Sequence, residues 1–473
     1  MDLNIIKSVL DADDDANSSL VALASQVCSG LEVFANIPDG IRYSIAKELV
    51  TFEEALSPPR QALSPPRLED SEQVDIITVK RRRTHYEKGT VEDSNWYRRY
   101  LATPHHIADV KNPRHPKGIE FRRNFSVPYQ VYETLLQMTL ENGWYDANRK
   151  NAIGVKCSDC RLLLLGVLHT LTDNASKYAC QTNTNISAES HRRFNTQWWT
   201  NMVSIRSEYI DMPETENDLA TVAADFDKNG LPGCCGSMDV VHRGWDRCPS
   251  EVTPLFKGKE GFPTVAFQVI VSHRKKILHV SLGYPGARND KQIVKVDSAP
   301  KSLHSGNHWL RSRKWYSKKH DGLVVQHQGY WLLVDGGYLR WPSLICPIRY
   351  DTSTKVRRLA KHLESVRKDV ECCFGALKKR FKCLKVWSKL HSLGDIDNQF
   401  VVCCMLHNIL LKYDGYEDED YEPDVHRRGK PQGTFLPAYD ATETGIAVSS
   451  AEESAWVERI KDIADHFDIV REK

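Results

Sequence analysis

The sequence predicts an α/β fold, a mixed sheet with flanking helices, preceded by a helical region. Three observations predict it. Apolar residues recur at helical spacing up to about residue 213, and after Gly230-Leu231-Pro232-Gly233 the period shifts to short, strand-like apolar runs. Those runs come as three strands, a helical crossover, a fourth strand and a long helix. Two carboxylates, Asp239 and Asp335, interrupt the apolar runs, where an unpaired acid is costly or forced to protonate.

Residues 1–93 read as an acidic, weakly structured leader. Asp11-Ala12-Asp13-Asp14-Asp15 is an acidic cluster, and the unit Ala-Leu-Ser-Pro-Pro-Arg occurs twice, within 55–60 and 61–67. Paired prolines favour extended chain and oppose helix, so this is a linker. Lys80-Arg81-Arg82-Arg83 is a basic run of the nuclear-import type, or else a solvated turn.

Residues 94–229 read as helical. Val127, Val131, Leu135, Leu136, Met138 and Leu140 share helical spacing, as do Leu162, Leu163, Leu164, Leu165, Val167, Leu168 and Leu171. Ser187 is placed to cap a helix carrying His191, Phe194, Trp198 and Trp199. With a break at Thr182-Asn183-Thr184-Asn185, this stretch reads as a helix-turn-helix bringing Arg192 and Arg193 to DNA, or as an ordinary bundle with a basic surface.

In residues 230–412 strands are expected at 234–242, 264–271 and 277–282, with His273-Arg274-Lys275-Lys276 turning a hairpin. Asn289-Asp290 caps a short helix through Ile293 and Val296. A polar, basic excursion (301–328) precedes a strand at 330–334 that stops at Gly336-Gly337, and a long helix runs from 357 to about 381. This is the element order of an RNase H-like domain. Residues 413–473 hold an acidic linker and a last helix with Trp456, Ile460, Ile463, Ala464 and Phe467 on one face and Glu453 offering a capping box. It is expected to pack on its own domain.

The bulk numbers narrow the function. No apolar run approaches the roughly 18 residues that span a bilayer, and no signal-peptide pattern opens the chain, so no membrane partner is expected. Thirteen cysteines, an odd number, suit a reducing compartment. Cys157 and Cys160 form a C-x-x-C without a second pair, which reads as a buried helix face rather than a zinc site. The net charge of +2 conceals segregation: residues 355–389 hold 12 bases and 3 acids, whereas residues 414–473 hold 7 bases and 16 acids. Basic middle segments between acidic ends suit a body that binds a polyanion.

Asp239 and Asp335 fall on strands that would be neighbours, and Glu371 lies on the long basic helix. Three such carboxylates can hold two divalent ions for in-line attack on a phosphodiester. Each also has a plainer reading: Asp335 opens a turn, and Glu371 pairs with Arg367 or Lys368. The blocks Gly-Ser-Met-Asp-Val-Val-His (236–242), Cys248-Pro249, Pro285-Gly286-Ala287-Arg288-Asn289-Asp290, Val334-Asp335-Gly336-Gly337-Tyr338 and Arg367-Lys368-Asp369-Val370-Glu371-Cys372-Cys373-Phe374-Gly375 resemble, in order, those of the PIF/Harbinger DDE transposases; Leu406-His407-Asn408 fits too.

The resemblance covers about 230–412. It implies an RNase H-like core and a metal-binding catalytic triad of Asp239, Asp335 and Glu371 that takes two Mg2+ or Mn2+ ions. It also implies a nuclear transposase or endonuclease acting on double-stranded DNA with terminal inverted repeats, often beside a Myb-like DNA-binding protein. A homo-oligomer and a domesticated, non-cutting DNA-binding protein are both compatible with it. His242 and Asp290 fall in motif blocks as supporting or DNA-positioning groups, while Arg367, Lys368, Lys378, Lys379 and Arg380 could grip phosphates near the cut. His407 and Asn408 read as a satisfied core pair.

Overall fold

The computed structural model describes residues 90–146, 148, 150, 158–306, 308–348, 353–415 and 449–471. The Pro-Pro-Arg leader, the run Lys80-Arg81-Arg82-Arg83, Cys157 and the acidic linker at 416–448 lie outside the described residues. The described chain divides into two compact units, 90–198 and 199–471.

The first unit is helical. A π-helical turn (Tyr97–Leu101) leads to α1 (Pro104–Lys111), α2 (Pro116–Phe125), α3 (Tyr129–Glu141), α4 (Cys160–Asp173), α5 (Lys177–Thr184) and the start of α6 (Ala188–Ser204). Pro104 and Pro116 open their helices, where a missing N–H is harmless. The core is aromatic: Phe121 meets Tyr100, Tyr129 and Tyr132 edge-on at 5.3, 5.1 and 5.7 Å. The leucines of α4 are buried all round, as its apolar composition requires. Ser187 caps α6 as expected, its hydroxyl accepting the Ser190 N–H at 3.1 Å. The break before it falls later than expected. Thr182, Asn183 and Thr184 donate back to carbonyls four residues earlier and so continue α5, and the turn is made by Asn185 with φ 55°.

The second unit is a sheet between helices. Its elements are α7 (Glu216–Lys228), β1 (Cys234–Gly244), α8 (Thr253–Phe256), β2 (Thr264–Val271), β3 (Ile277–Val280), β4 (Tyr284–Pro285), α9 (Asp290–Val296), α10 (Ser298–Ser305), α11 (Trp309–Ser312), β5 (Lys314–Lys318), β6 (Val324–Gln328), β7 (Trp331–Leu333), β8 (Leu344–Ile345), α12 (Thr354–Arg380), α13 (Leu393–Leu410) and α14 (Ser450–Arg471). The strand order is β3-β2-β1-β7-β8, with β4 beside β2. The hairpin β1-β2-β3 is antiparallel, while β1-β7 and β7-β8 are parallel.

Residues 199–229, placed with the helical region by sequence, group here because Leu219, Ala223 and Phe226 of α7 sink into the sheet's core. β2 is buried at all eight positions, hence a run that is apolar apart from Thr264 and Gln268. The turn expected at 273–276 forms, closed by Ser272 N–H to Lys276 O at 2.8 Å, and Asn289 makes a full capping box with Gln292 on α9. The excursion 301–328 is folded, not loose. It contains α10 and the β5-β6 hairpin, whose Trp315 is buried against Gly233; a Cβ at Gly233 would stand 2.4 Å from the indole.

α12 buries Val356, Leu359, Leu363, Val366, Val370, Cys373 and Leu377, a helical stripe laid across the sheet. α14 packs on α12 with Trp456, Ile460, Ile463, Ala464 and Phe467 buried. Its capping pair is Ser449 with Glu452, one residue before the expected box, and Glu453 instead reaches Arg340 at 2.6 Å.

Candidate active site

Strand register brings the first two acids together. In the parallel pair β1-β7, Ser237 stands opposite Leu333. Asp239 lies two residues further along β1, and Asp335 two residues past the end of β7, so both acids leave the same end of this strand pair. Asp239 Oδ1 accepts the N–H of Val240 at 2.8 Å, and Asp335 Oδ1 accepts that of Gly337 at 2.8 Å. Asp290, first residue of α9, joins them. A Cβ built on Gly337 would lie 3.0 Å from Asp335 Oδ1 and 3.4 Å from Asp290 Oδ2, so both carboxylates border that one α-carbon.

The crowding registers electrostatically. Burial first, and Asp335 second, push the Asp239 carboxyl up to about 7 against the opposing pull of Arg367. Holding a carboxyl near 7 instead of near 4 corresponds to roughly 4 kcal/mol between its two protonation states. Arg367, at 3.7 Å, offsets that shift only in part. Asp290 is raised too, by burial and then by Asp335, with Lys259 opposing. Burial also drives the Tyr338 phenol well up, followed by the charges of Asp239, Asp290 and Asp335; its hydroxyl is buried without a hydrogen-bond partner among the described residues.

Glu371 stands apart. It lies on α12 four residues after Arg367, hence on the same helix face. Arg367 bridges the two sides of the site, with Nη1 3.7 Å from Asp239 Oδ2 and Nη2 2.9 Å from Glu371 Oε1. The Glu371 side chain is 47% exposed against 21% for Asp239. Among the described residues no three His, Cys, Asp or Glu side chains converge as a ready metal cluster. The donor chemistry nevertheless fits divalent ions: hard oxygen ligands in mutual repulsion, with a guanidinium lodged between two of them. Such a cation would draw on Asp239, Asp335 and Asp290, with Glu371 held beyond Arg367.

The remaining candidates are dispersed. His242 meets Thr264 Oγ1 at 2.9 Å, and burial followed by Lys259 lowers its pKa, which leaves the ring neutral beside Lys259 and Lys378. Lys378 lines a shallow cleft with Val241, His242, Phe374 and Leu377, and burial lowers its pKa as well. Lys368 is half-buried and Lys379 exposed. Arg380 is turned inward, paired with Asp414 and 3.1 Å from His407 Nδ1. Arg192 and Arg193 both hold Glu189, at 2.7 and 2.9 Å, and keep its carboxyl at about 2. His407 and Asn408 form a satisfied core pair. His407 reaches Lys275 O at 2.9 Å, while Asn408 exchanges bonds with both backbone groups of Ile277.

Sequence reasoning passed over Tyr338 and Asp369. Asp369 is buried and meets His273 Nδ1 at 2.5 Å, pinning α12 to the β2-β3 turn. Its only sequence signal was an acid on the inward stripe of an otherwise basic helix.

A family of plant transposon proteins matches residues 207–418, a span that holds every motif block and all four acids. Over that span the chain is similar to plant transposon proteins. Similar proteins include one named ALP1-like from Arabidopsis thaliana, 24% identical over 45% of this chain and 52% of its own length. Antagonist of Like Heterochromatin Protein 1, also from Arabidopsis thaliana, is 24% identical over 40% of this chain and 47% of its own. HARBI1 of Xenopus laevis, named as a candidate nuclease, is 24% identical over 48% and 61%. The chain thus spans about half the length of these family relatives. No solved structure matches.

Proposed function

We propose that the second unit is an RNase H-like DDE endonuclease core that cuts, and can rejoin, DNA at the inverted-repeat ends of a transposon in the nucleus. The observation that carries this reading is the meeting of Asp239 on β1 with Asp335, just past the end of the adjacent parallel strand β7, where burial and Asp335 push the Asp239 carboxyl to about 7. The strand order β3-β2-β1-β7-β8, with α12 laid across it, supports the RNase H-like assignment. Substrate, ions, nuclear site and a Myb-like or self-assembled partner all belong to the proposal.

Asp239, Asp335 and Glu371 would hold Mg2+ or Mn2+. When bound, a pair of such ions activates the attacking water or 3′-hydroxyl and steadies the leaving oxygen. The chain's own part is geometric. β1 carries Asp239, the end of β7 leads into Asp335, and α12 carries the third acid about one turn from Arg367. When Arg367 leaves Asp239 and Glu371, its guanidinium becomes free for a phosphate oxygen. Lys378, two turns beyond Glu371 on the same face, can hold the next phosphate.

The test is cleavage of duplexes bearing candidate terminal repeats by the purified full chain, in Mg2+, Mn2+ or EDTA. Asp239→Asn, Asp335→Asn and Glu371→Gln should each lower cleavage at least about a hundredfold while sparing DNA binding. Cutting in EDTA, or by the triple variant, would sink the reading. A second reading, a relative that binds DNA without cutting, is favoured by the Arg367–Glu371 pair, which keeps the third acid out of the cluster. DNA binding with no cleavage in either metal, on any repeat-bearing duplex, selects it.

A further inference from the structure

The four acids are not equally available. Asp239 takes the Val240 N–H and faces Arg367, Asp335 takes the Gly337 N–H, and Glu371 is held by Arg367 at 2.9 Å. Asp290 alone of the four makes no hydrogen bond or ion pair among the described residues, although it is half-buried. It sits at the first position of α9, behind an N-cap that Asn289 and Gln292 already complete, so helix capping does not account for it. Its Oδ2 and Asp335 Oδ1 both border the α-carbon of Gly337, 3.4 and 3.0 Å from where a Cβ would be.

An independent feature points into the same place. Tyr338, next to Gly337, is only 3% exposed, and its hydroxyl finds no partner among the described residues. The charges it feels most are those of Asp239, Asp290 and Asp335. A buried hydroxyl left unpaired forfeits a hydrogen bond unless water or a hydrated ion completes it.

We propose that Asp290, rather than Glu371, is the third carboxylate of the first divalent-cation site, with Asp239 and Asp335, and that the Tyr338 hydroxyl meets the hydration shell there. Glu371 serves a second, weaker site that opens only when Arg367 releases it. The proposal deepens the nuclease reading and rests on it. It makes binding sequential: Asp239, Asp335 and Asp290 draw together on the first ion, and Glu371 stays latched by a guanidinium until the second.

The test is Mn2+ binding to the full chain, read as loss of the free-ion paramagnetic resonance signal, with no DNA and no activity measured. Wild type should show one tight and one weaker ion. Asp290→Asn should weaken the tight site at least about tenfold, whereas Glu371→Gln should leave it within about twofold and remove only the weaker one. Arg367→Met should tighten both sites, the weaker one more, because the guanidinium faces Asp239 at 3.7 Å and holds Glu371 at 2.9 Å. Gly337→Ala, whose methyl would press on both carboxylates, provides a second probe should Asp290→Asn fail to fold, and should also weaken the tight site about tenfold. Wild-type-like tight binding by Asp290→Asn, or by Gly337→Ala, would overturn the assignment while leaving the nuclease reading standing. No Mn2+ binding by wild type would remove both.

Discussion

Asp239 is pulled in opposite directions: burial and Asp335 favour its neutral form, while Arg367 and the Val240 N–H favour the charge. The balance leaves it at about 7, against roughly 3.9 in an unfolded chain. Between those values the native protein holds a proton that the unfolded one has lost, so stability falls as pH rises from about 4 and the loss is complete somewhat above 7. In EDTA at pH 8, Asp239→Asn should therefore melt above wild type, by up to roughly 4 kcal/mol in stability, with the gap closing at pH 4. Added Mn2+ should restore wild type and not the variant. A variant that melts below wild type at pH 8 would show that this carboxylate is not under strain.

Elements were legible where one pattern sufficed. The all-buried β2, the cap at Asn289 and the stripe of α12 were readable because periodicity and capping are local. The break after α5 was displaced because Thr and Asn side chains can serve a turn or bond back within a helix, and only packing decides. The nearness of Asp239 and Asp335 was legible because strand order sets their neighbourhood. The nearness of Asp290, Tyr338 and Arg367 to them was not, since it depends on side-chain distances across several elements. The docking of α14 was expected, and its anchor is now explicit. Trp456 is 2% exposed, and its indole N–H donates to Leu344 O at 2.8 Å, so it closes the β8 edge. Trp456→Ala should cost about 3–5 kcal/mol of unfolding free energy, seen as a lowered denaturant midpoint. An unchanged midpoint would mean that α14 is only loosely applied.

At the scale of the whole molecule, the segregated charge proves to be partly internal. α14 supplies Asp462, Asp465 and Asp468 to Lys319, Lys355 and Arg358 at 3.1, 2.9 and 3.0 Å, so part of the basic excess of α12 is neutralised by the acidic end of the chain. Arg380 is likewise occupied by Asp414 and His407. Lys368, Lys378 and Lys379 carry no ion pair among the described residues and lie within three turns of Glu371. Composition alone overstates the surface offered to DNA, and the two kinds of base should separate by experiment. Lys378→Gln and Lys379→Gln should each reduce the slope of log affinity against log salt by about 0.9, the loss expected for one phosphate contact, with melting unchanged. Arg380→Gln should leave the slope alone and lower stability by about 1.5–3 kcal/mol, because it strips charged hydrogen bonds from a half-buried pair. Equal slopes for wild type and both lysine variants would take α12 out of the path of DNA, and a slope change in Arg380→Gln would show that its pair opens on binding.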